Sequence, residues 1–314
     1  MNTLNVSAAP HINSGATTHN VMRDVVIALL PATIAGVVLF GLRALLVVAV
    51  CVATAVLAEF LFNLAVGKKQ TVFDFSAVVT GLILALNLRV DVPVWQCIVG
   101  SVFAIVVVKC LFGGLGKNIV NPAIAARVFM LLAFTAVAGG AISNIVGDTL
   151  YSSATPLAPL ADEKYNLLSL FLGTHGGTIG ETCAVALLLG YAYLVWRGVI
   201  KWYVPFAFAA TVFALYFVTT GSLGVSLAHV LAGGLLFGAI FMATDYVTTP
   251  LSNLGKVVFC IGCGVLTFAI RSLTIGGAAF NSYPEGVSIS ILFMNLLTPL
   301  IEKWTNPKTL GGVK

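Results

Sequence analysis

From Trp202 to Thr244 the chain runs without a single Asp, Glu, Lys or Arg. As helix at ~1.5 Å per residue that stretch is about 64 Å long, roughly two crossings of a ~30 Å hydrocarbon core. The whole chain shares this character. Of its 314 residues 59% are hydrophobic and 9% charged, with a mean hydropathy of +1.05, against about 25% charged in a soluble domain. An ordinary cytosolic globule is excluded. The sequence reads as an all-α, polytopic membrane protein.

The net charge of +5 does not point to nucleic acid, because the basic residues stand singly between apolar runs. Residues 1–22 are polar, with no Lys or Arg before Arg23 and no small-residue cleavage site after the first apolar run, so no cleavable signal is expected. Cys51, Cys97, Cys110, Cys183, Cys260 and Cys263 all lie in or beside apolar segments, which suits buried thiols better than a disulfide framework.

Charges, prolines and glycine clusters divide the apolar sequence into about ten segments: 25–42, 44–65, 72–88, 94–112, 122–138, 181–196, 203–220, 225–243, 256–272 and 286–302. Segments 72–88 and 256–272 are short for a full crossing, which suggests tilted, broken or partly buried helices. With the N-terminus inside, the inner side holds Arg23, Lys68, Lys69, Lys109, Lys117, Arg197, Lys201, Lys256, Lys303, Lys308 and Lys314. The outer loops hold Arg43, Arg89, Lys164 and Arg271, with Arg127 inside the fifth segment. The positive-inside rule then places both termini in the cytoplasm. The longest connection, Gly139 to Gly180, falls outside, and loops of that length usually carry function or are disordered.

Five segments precede that loop and five follow it. Thr80-Gly81-Leu82 in the third resembles Gly233-Gly234-Leu235 in the eighth, 153 positions on. Gly113-Gly114-Leu115-Gly116 with Asn121-Pro122 resembles Gly276-Gly277-Ala278-Ala279 with Tyr283-Pro284, about 162 positions on. An odd number of spans per repeat forces the halves into opposite orientations. Such inverted repeats often place a pathway at their interface. On this observation alone the chain would be a transporter or channel.

The long loop contains Asp148-Thr149-Leu150-Tyr151-Ser152-Ser153-Ala154-Thr155-Pro156. Ser/Gly-Ala-Thr after an upstream Asp resembles the acceptor motif for covalent FMN, in which an extracytoplasmic flavin transferase joins the FMN phosphate to the threonine hydroxyl. Small neighbours let such a threonine enter a transferase site. The plainer alternative is a polar turn ended by proline. Ser14-Gly15-Ala16-Thr17 matches the Gly-Ala-Thr core more closely but lacks an upstream acid and falls on the cytoplasmic side. Topology therefore favours Thr155.

Several further motifs stand in order along the chain: Ser7-Ala8-Ala9-Pro10-His11-Ile12, Gly113-Gly114-Leu115-Gly116-Lys117-Asn118, Asn121-Pro122-Ala123-Ile124-Ala125-Ala126-Arg127, Gly176-Gly177-Thr178-Ile179-Gly180-Glu181-Thr182, Met242-Ala243-Thr244-Asp245-Tyr246-Val247-Thr248-Thr249-Pro250 and Tyr283-Pro284-Glu285-Gly286. Together they resemble the D-subunit family of the Rnf electron-transport complex. They are also similar to the related B subunit of sodium-translocating NADH:quinone reductase, which has a longer N-terminal extension. The resemblance implies an FMN phosphoryl-threonine at Thr155, although Asp148 lies seven residues upstream, one more than usual, and Ser153 replaces glycine.

The resemblance also implies a second, noncovalent flavin and a non-autonomous redox subunit in the plasma membrane of a prokaryote. Its partners would be Rnf subunits A, B, C, E and G, iron–sulfur and flavin carriers among them. The complex would couple ferredoxin:NAD oxidation–reduction to Na⁺ or H⁺ transport. The chain then divides into a cytoplasmic tail (1–22), a first five-helix membrane repeat (23–138), an extracytoplasmic loop with the flavin acceptor (139–180), a second five-helix repeat (181–302) and a cytoplasmic tail (303–314).

Glu59, Asp74, Arg127, Asp245 and Glu285 lie in or at the ends of apolar segments, where charge is costly and suggests function. Helix-end anchoring or an internal ion pair is the plainer explanation. Asp245, beside a family motif, is the first candidate for an ion pathway, with Glu59 and Asp74 behind it; a carboxylate with threonine and backbone oxygens suits Na⁺ as a hard cation. Cys260-Ile261-Gly262-Cys263 is a lone CxxC, short of the four ligands that zinc or iron–sulfur sites want. No metal site is expected. His229 on an apolar helix suits a structural role, and His11, His19 and His175 carry no ligand pattern. The glycine-rich Gly173-Thr174-His175-Gly176-Gly177 does not follow a predicted strand, so no dinucleotide fold is implied.

Overall fold

Long apolar stretches without charge become helices because lipid offers the backbone no other partner. The computed structural model describes residues 17–134, 142–145, 150–153, 167–173, 176–272, 274–275, 278–279 and 286–305. The first membrane group comprises α1 (Thr18–Phe40), α2 (Leu42–Val66), α3 (Ser76–Leu86), α4 (Val94–Val102, continuing as a π-helical stretch Phe103–Cys110) and α5 (Pro122–Ala133). A short α6 (Leu167–Leu172) follows. The second group comprises α7 (Ala184–Trp196), α8 (Tyr203–Thr220), α9 (Leu223–Leu231), α10 (Leu235–Phe237, continuing as a π-helical Gly238–Met242), α11 (Asn253–Ser272) and α12 (Gly286–Thr305). Two small antiparallel hairpins join β1 (Ile142–Ile145) to β2 (Leu150–Ser153) and β3 (Thr274–Ile275) to β4 (Ala278–Ala279).

By length and composition α1, α2, α8, α11 and α12 suffice to cross a membrane. The pair α9 and α10, bent by 61°, makes a sixth. Every expected segment contains a helix, but α3, α4, α5 and α7 are shorter than a full span. The third segment, 72–88, expected to be tilted, broken or partly buried, is a 3-10 turn at Val72–Asp74, a left-handed residue at Phe75 and then α3. At about 16 Å, α3 ends inside the protein, and nearly all of its residues are buried. The eighth is likewise interrupted, with Gly233 and Gly234 at φ +72° and +68°.

Local chemistry sets the helix ends. Asn121 caps α5 by accepting from Ala123 N (3.0 Å), and Pro122 occupies the first helical position, where its missing N–H leaves no gap. Thr17 caps α1 by accepting from Asn20 N (3.3 Å), which gives this threonine, the competing acceptor candidate, a structural role.

Between helices, small residues let backbones approach. A methyl placed on Gly190 of α7 would fall 2.3 Å from the Ala28 carbonyl oxygen of α1. On Gly81 of α3 it would meet the Val52 Cα at 2.9 Å. Accordingly α1 packs on α7, α2 on α3 and α4, α8 on α9 and α11, α11 on α12, and α5 on α12. The segment entering α7 docks on the end of α3, with Gly180 N donating to Leu86 O (2.8 Å) and Ile179 N to Leu88 O (3.0 Å).

Candidate functional site

A cavity of about 740 Å³, its mouth included, lies where the two groups of helices meet. Its walls are mostly apolar, with Val25 from α1, Val79 and Ile83 from α3, and Phe241 from the end of α10. Set into them are a few polar groups: Thr80, Lys109, Asn118, Asn121, Thr244 and Asp245. Sparse polar groups set into apolar walls are typical of small-molecule and cofactor sites.

Lys109 stands at the α3 side. Its ammonium donates to Glu59 Oε2 (2.9 Å) and to Ser76 Oγ (2.6 Å), and the ion pair is sealed from solvent, Lys109 being 1% and Glu59 2% exposed. Glu59 Oε1 accepts from Thr71 Oγ1 (2.6 Å), which in turn accepts from Asn63 Nδ2 (3.1 Å). Asp74 accepts from Ser76 N (2.8 Å) and from the Ser76 hydroxyl. The lysine placed in an inner segment is therefore an interior partner of Glu59. A charge inside an apolar run has no other favourable state. Glu59 and Asp74 converge on the first turn of α3 through Ser76 and Lys109. For Glu59 the internal ion pair is what the structure shows.

Asp245 stands at the other side of the same cavity, just past α10. Its carboxylate accepts from Asn121 Nδ2 (3.2 Å), Thr248 Oγ1 (3.2 Å) and Val247 N (3.3 Å). Burial pushes this carboxyl above the usual carboxylate range, and those hydrogen bonds pull it part of the way back. With its amide oriented to satisfy both groups, Asn295 of α12 donates to Thr248 O and accepts from Asn121 N, each at 3.2 Å. Asn121 thus ties the cap of α5 to the Asp245 turn and to α12. Three donors, from Asn121, Thr248 and Val247, therefore hold the Asp245 carboxylate in place.

Asn118, between these two clusters, has a buried Oδ1 with no hydrogen-bond partner among the described residues. Buried polar atoms are nearly always paired. On a cavity wall such an acceptor is open to a donor from water or a ligand. Sequence reasoning missed Asn118 and Lys109. The visible signal for Lys109 was a single ammonium within an apolar run; for Asn118 it was a place at the end of the Gly113–Asn118 motif.

Two further cations placed in loops by the charge pattern are structural. Arg271, at the end of α11, donates to His229 O (2.9 Å) and Gly233 O (2.8 Å), closing the C-terminus of α9 at its break. Arg197 donates to Asp24 Oδ2 (3.1 Å), whose other oxygen accepts from Tyr193 OH (3.2 Å), locking α1 to α7. His229 stacks on Tyr216 with ring centroids 3.7 Å apart, in keeping with a structural role. Arg127 is fully buried in α5, where Glu181 supplies an attractive field. Cys260 and Cys263 are buried free thiols, and no group of three metal-ligating side chains forms among the described residues. Thr155, Asp148, Glu285, His11 and His175 lie outside the described residues.

Comparison with known proteins fits this architecture. The chain is 43% identical, over its full length and 98% of the relative's, to the D subunit of the Na⁺-translocating ferredoxin:NAD⁺ oxidoreductase complex of Acetobacterium woodii. It is 37% identical, over 99% of its length and 97% of the relative's, to the D subunit of the proton-translocating ferredoxin:NAD⁺ oxidoreductase complex of Clostridium ljungdahlii. To the D subunit of the ion-translocating oxidoreductase complex of Stutzerimonas stutzeri it is 36% identical, over 93% of its length and 91% of the relative's. The profile of the NQR2, RnfD, RnfE family matches residues 5–311, and the chain belongs to that family.

Proposed function

We propose that this chain is the D-type membrane subunit of an ion-translocating ferredoxin:NAD⁺ oxidoreductase complex. It works as a non-autonomous redox subunit among the other Rnf subunits. The observation that carries this reading is the end-to-end similarity to the Acetobacterium woodii subunit, at 43% identity with no unmatched domain on this chain. The experiment is deletion of the gene from its host, followed by assay of ferredoxin:NAD⁺ oxidoreductase activity in washed membranes. Activity should vanish and return with the intact gene; undiminished activity would refute the assignment.

In this reading electrons pass through FMN held as a phosphoester on Thr155. A noncovalent flavin would occupy the cavity between Lys109 and Asp245. The residues present suit an isoalloxazine ring: apolar faces from Val79, Ile83 and Phe241, and one unpaired acceptor, Asn118 Oδ1, for a ring N–H. When bound, a flavin supplies one- and two-electron transfer, and the protein supplies position and electrostatics. Here Asn118 would orient the ring edge. The Lys109–Glu59 pair would offer the bound group a cation without net charge, and the apolar walls would limit its contact with water. Asp245 holds the Asn121 end of the cavity through its own hydrogen bonds.

Two inverted five-helix repeats also belong to this reading, and several features support it. The half-helices α3 and α10 both follow a left-handed residue, Phe75 (φ +62°, ψ +3°) and Gly234 (φ +68°, ψ +6°). These breaks lie 159 positions apart, nearer the 162 of the second motif pair than the 153 of the first. In each half the helix after the break sends a cation back to it, Lys109 to Ser76 and Arg271 to Gly233. Counterpart helices pack on each other, α1 on α7 and α5 on α12. With Lys109 and Arg271 removed from the loop count, the charge bias still favours cytoplasmic termini and an extracytoplasmic Thr155 loop.

A further inference from the structure

A second pocket, about 460 Å³ with the open space at its mouth included, shares the Tyr246 wall of the large cavity and lies where α7 hands over to α8. Gly198 to Lys201 line one side, and Thr249, in the segment leading into α11, and Lys256, in the first turn of α11, line the other. Its hydroxyls are already committed: Tyr246 donates to Val199 O, and Thr249 donates to Asp245 O (2.5 Å). What remains are two ammonium groups, Lys201 exposed and Lys256 half-buried. Neither forms an ion pair among the described residues, and no carboxylate lines the pocket. Two unmatched cations on a concave surface select an anion with several acceptor oxygens.

The surroundings say which anion. Trp202 (61% exposed), Phe206 (64%), Leu251 (77%) and Leu254 (63%) flank the two lysines along the chain. Indole rings beside lysines mark the level of lipid headgroups. A free phosphate ion would use the lysines and leave this apolar border idle, whereas a phospholipid uses both. We propose that the pocket holds the phosphate of an anionic phospholipid between Lys201 and Lys256, with its acyl chains along Phe206 and Leu254.

The test uses the intact complex in nanodiscs containing a trace of photo-activatable phosphatidylglycerol, with peptide mapping of the adducts. Cross-links should fall on the peptides carrying Trp202–Phe206 and Leu251–Lys256. Excess phosphatidylglycerol should compete, while phosphatidylcholine and millimolar inorganic phosphate should not. Each lysine near an anionic headgroup is worth about fivefold in affinity, so Lys201→Gln with Lys256→Gln should reduce labelling on the order of 30-fold. Lys201→Arg with Lys256→Arg should retain it, which separates a lost site from a disturbed fold. Labelling unchanged in the glutamine pair, equal labelling by a phosphatidylcholine probe, or full competition by inorganic phosphate would each overturn the proposal.

Discussion

Replacing Lys109 with Met leaves the Glu59 carboxylate buried at 2% exposure, with only the Thr71 hydroxyl as partner on its other oxygen. Removing one member of a sealed ion pair costs about 3–5 kcal/mol, because the remaining charge is neither solvated nor paired. At the usual unfolding entropy per residue, that lowers the melting temperature of a chain this long by about 5–8 °C. Ser76 keeps its bonds to Asp74, so the first turn of α3 should survive locally. Changing both partners, Lys109→Met with Glu59→Gln, removes the stranded charge and should recover most of the loss. Buried pairs are roughly interchangeable with well-packed neutral groups. The assay is thermal unfolding of the detergent-solubilised chain followed by tryptophan fluorescence, on the two single variants and the double. A Lys109→Met midpoint within about 1 °C of wild type, or a double variant showing the sum of the single losses, would refute the buried-pair reasoning.

Asn118→Leu should lower noncovalent flavin per chain roughly tenfold by removing the one unpaired acceptor, read by chromatography of flavin extracted from the purified complex. Gly190→Val drives a side chain into the Ala28 carbonyl and should destabilise α1–α7 packing by about 1–3 kcal/mol or more, read by the same thermal assay. Arg271→Gln strips the carbonyls at the α9 break of their donor and should cost about 1.5–3 kcal/mol, seen also as faster amide exchange at residues 229–234. Thr17→Ala removes the α1 cap, costs about 1 kcal/mol, and should leave covalent flavin unchanged on a fluorescent gel.

Hydropathy located the apolar segments, each of which contains a helix, because burial in lipid acts on averages over many residues. It did not locate the breaks. Gly233-Gly234 was visible as a glycine pair, but nothing in a window average marks Phe75, whose left-handed backbone is imposed by the turn that presents Asp74 to Ser76. Charge counting treated Lys109 and Arg271 as loop residues because a one-dimensional tally cannot see Glu59 fifty positions away or the carbonyls at the end of α9. Asp245 was legible as a charge at a segment end, and it does line the cavity. Its donor from Asn121 was not legible, because that residue lies 124 positions away. Asn118 was visible only as the last residue of the Gly113–Asn118 motif, because an orphaned acceptor exists only once the other walls are in place.

The central claim is that this chain carries electrons through a flavin fixed to Thr155, and peptide mass spectrometry of the chain purified from its native membrane tests it most directly. The account predicts a mass increase of FMN less one water on the fragment containing Thr155, with the Thr17 fragment unmodified. An adduct on Thr17, or none on either fragment from cells that make the flavin transferase, would contradict it.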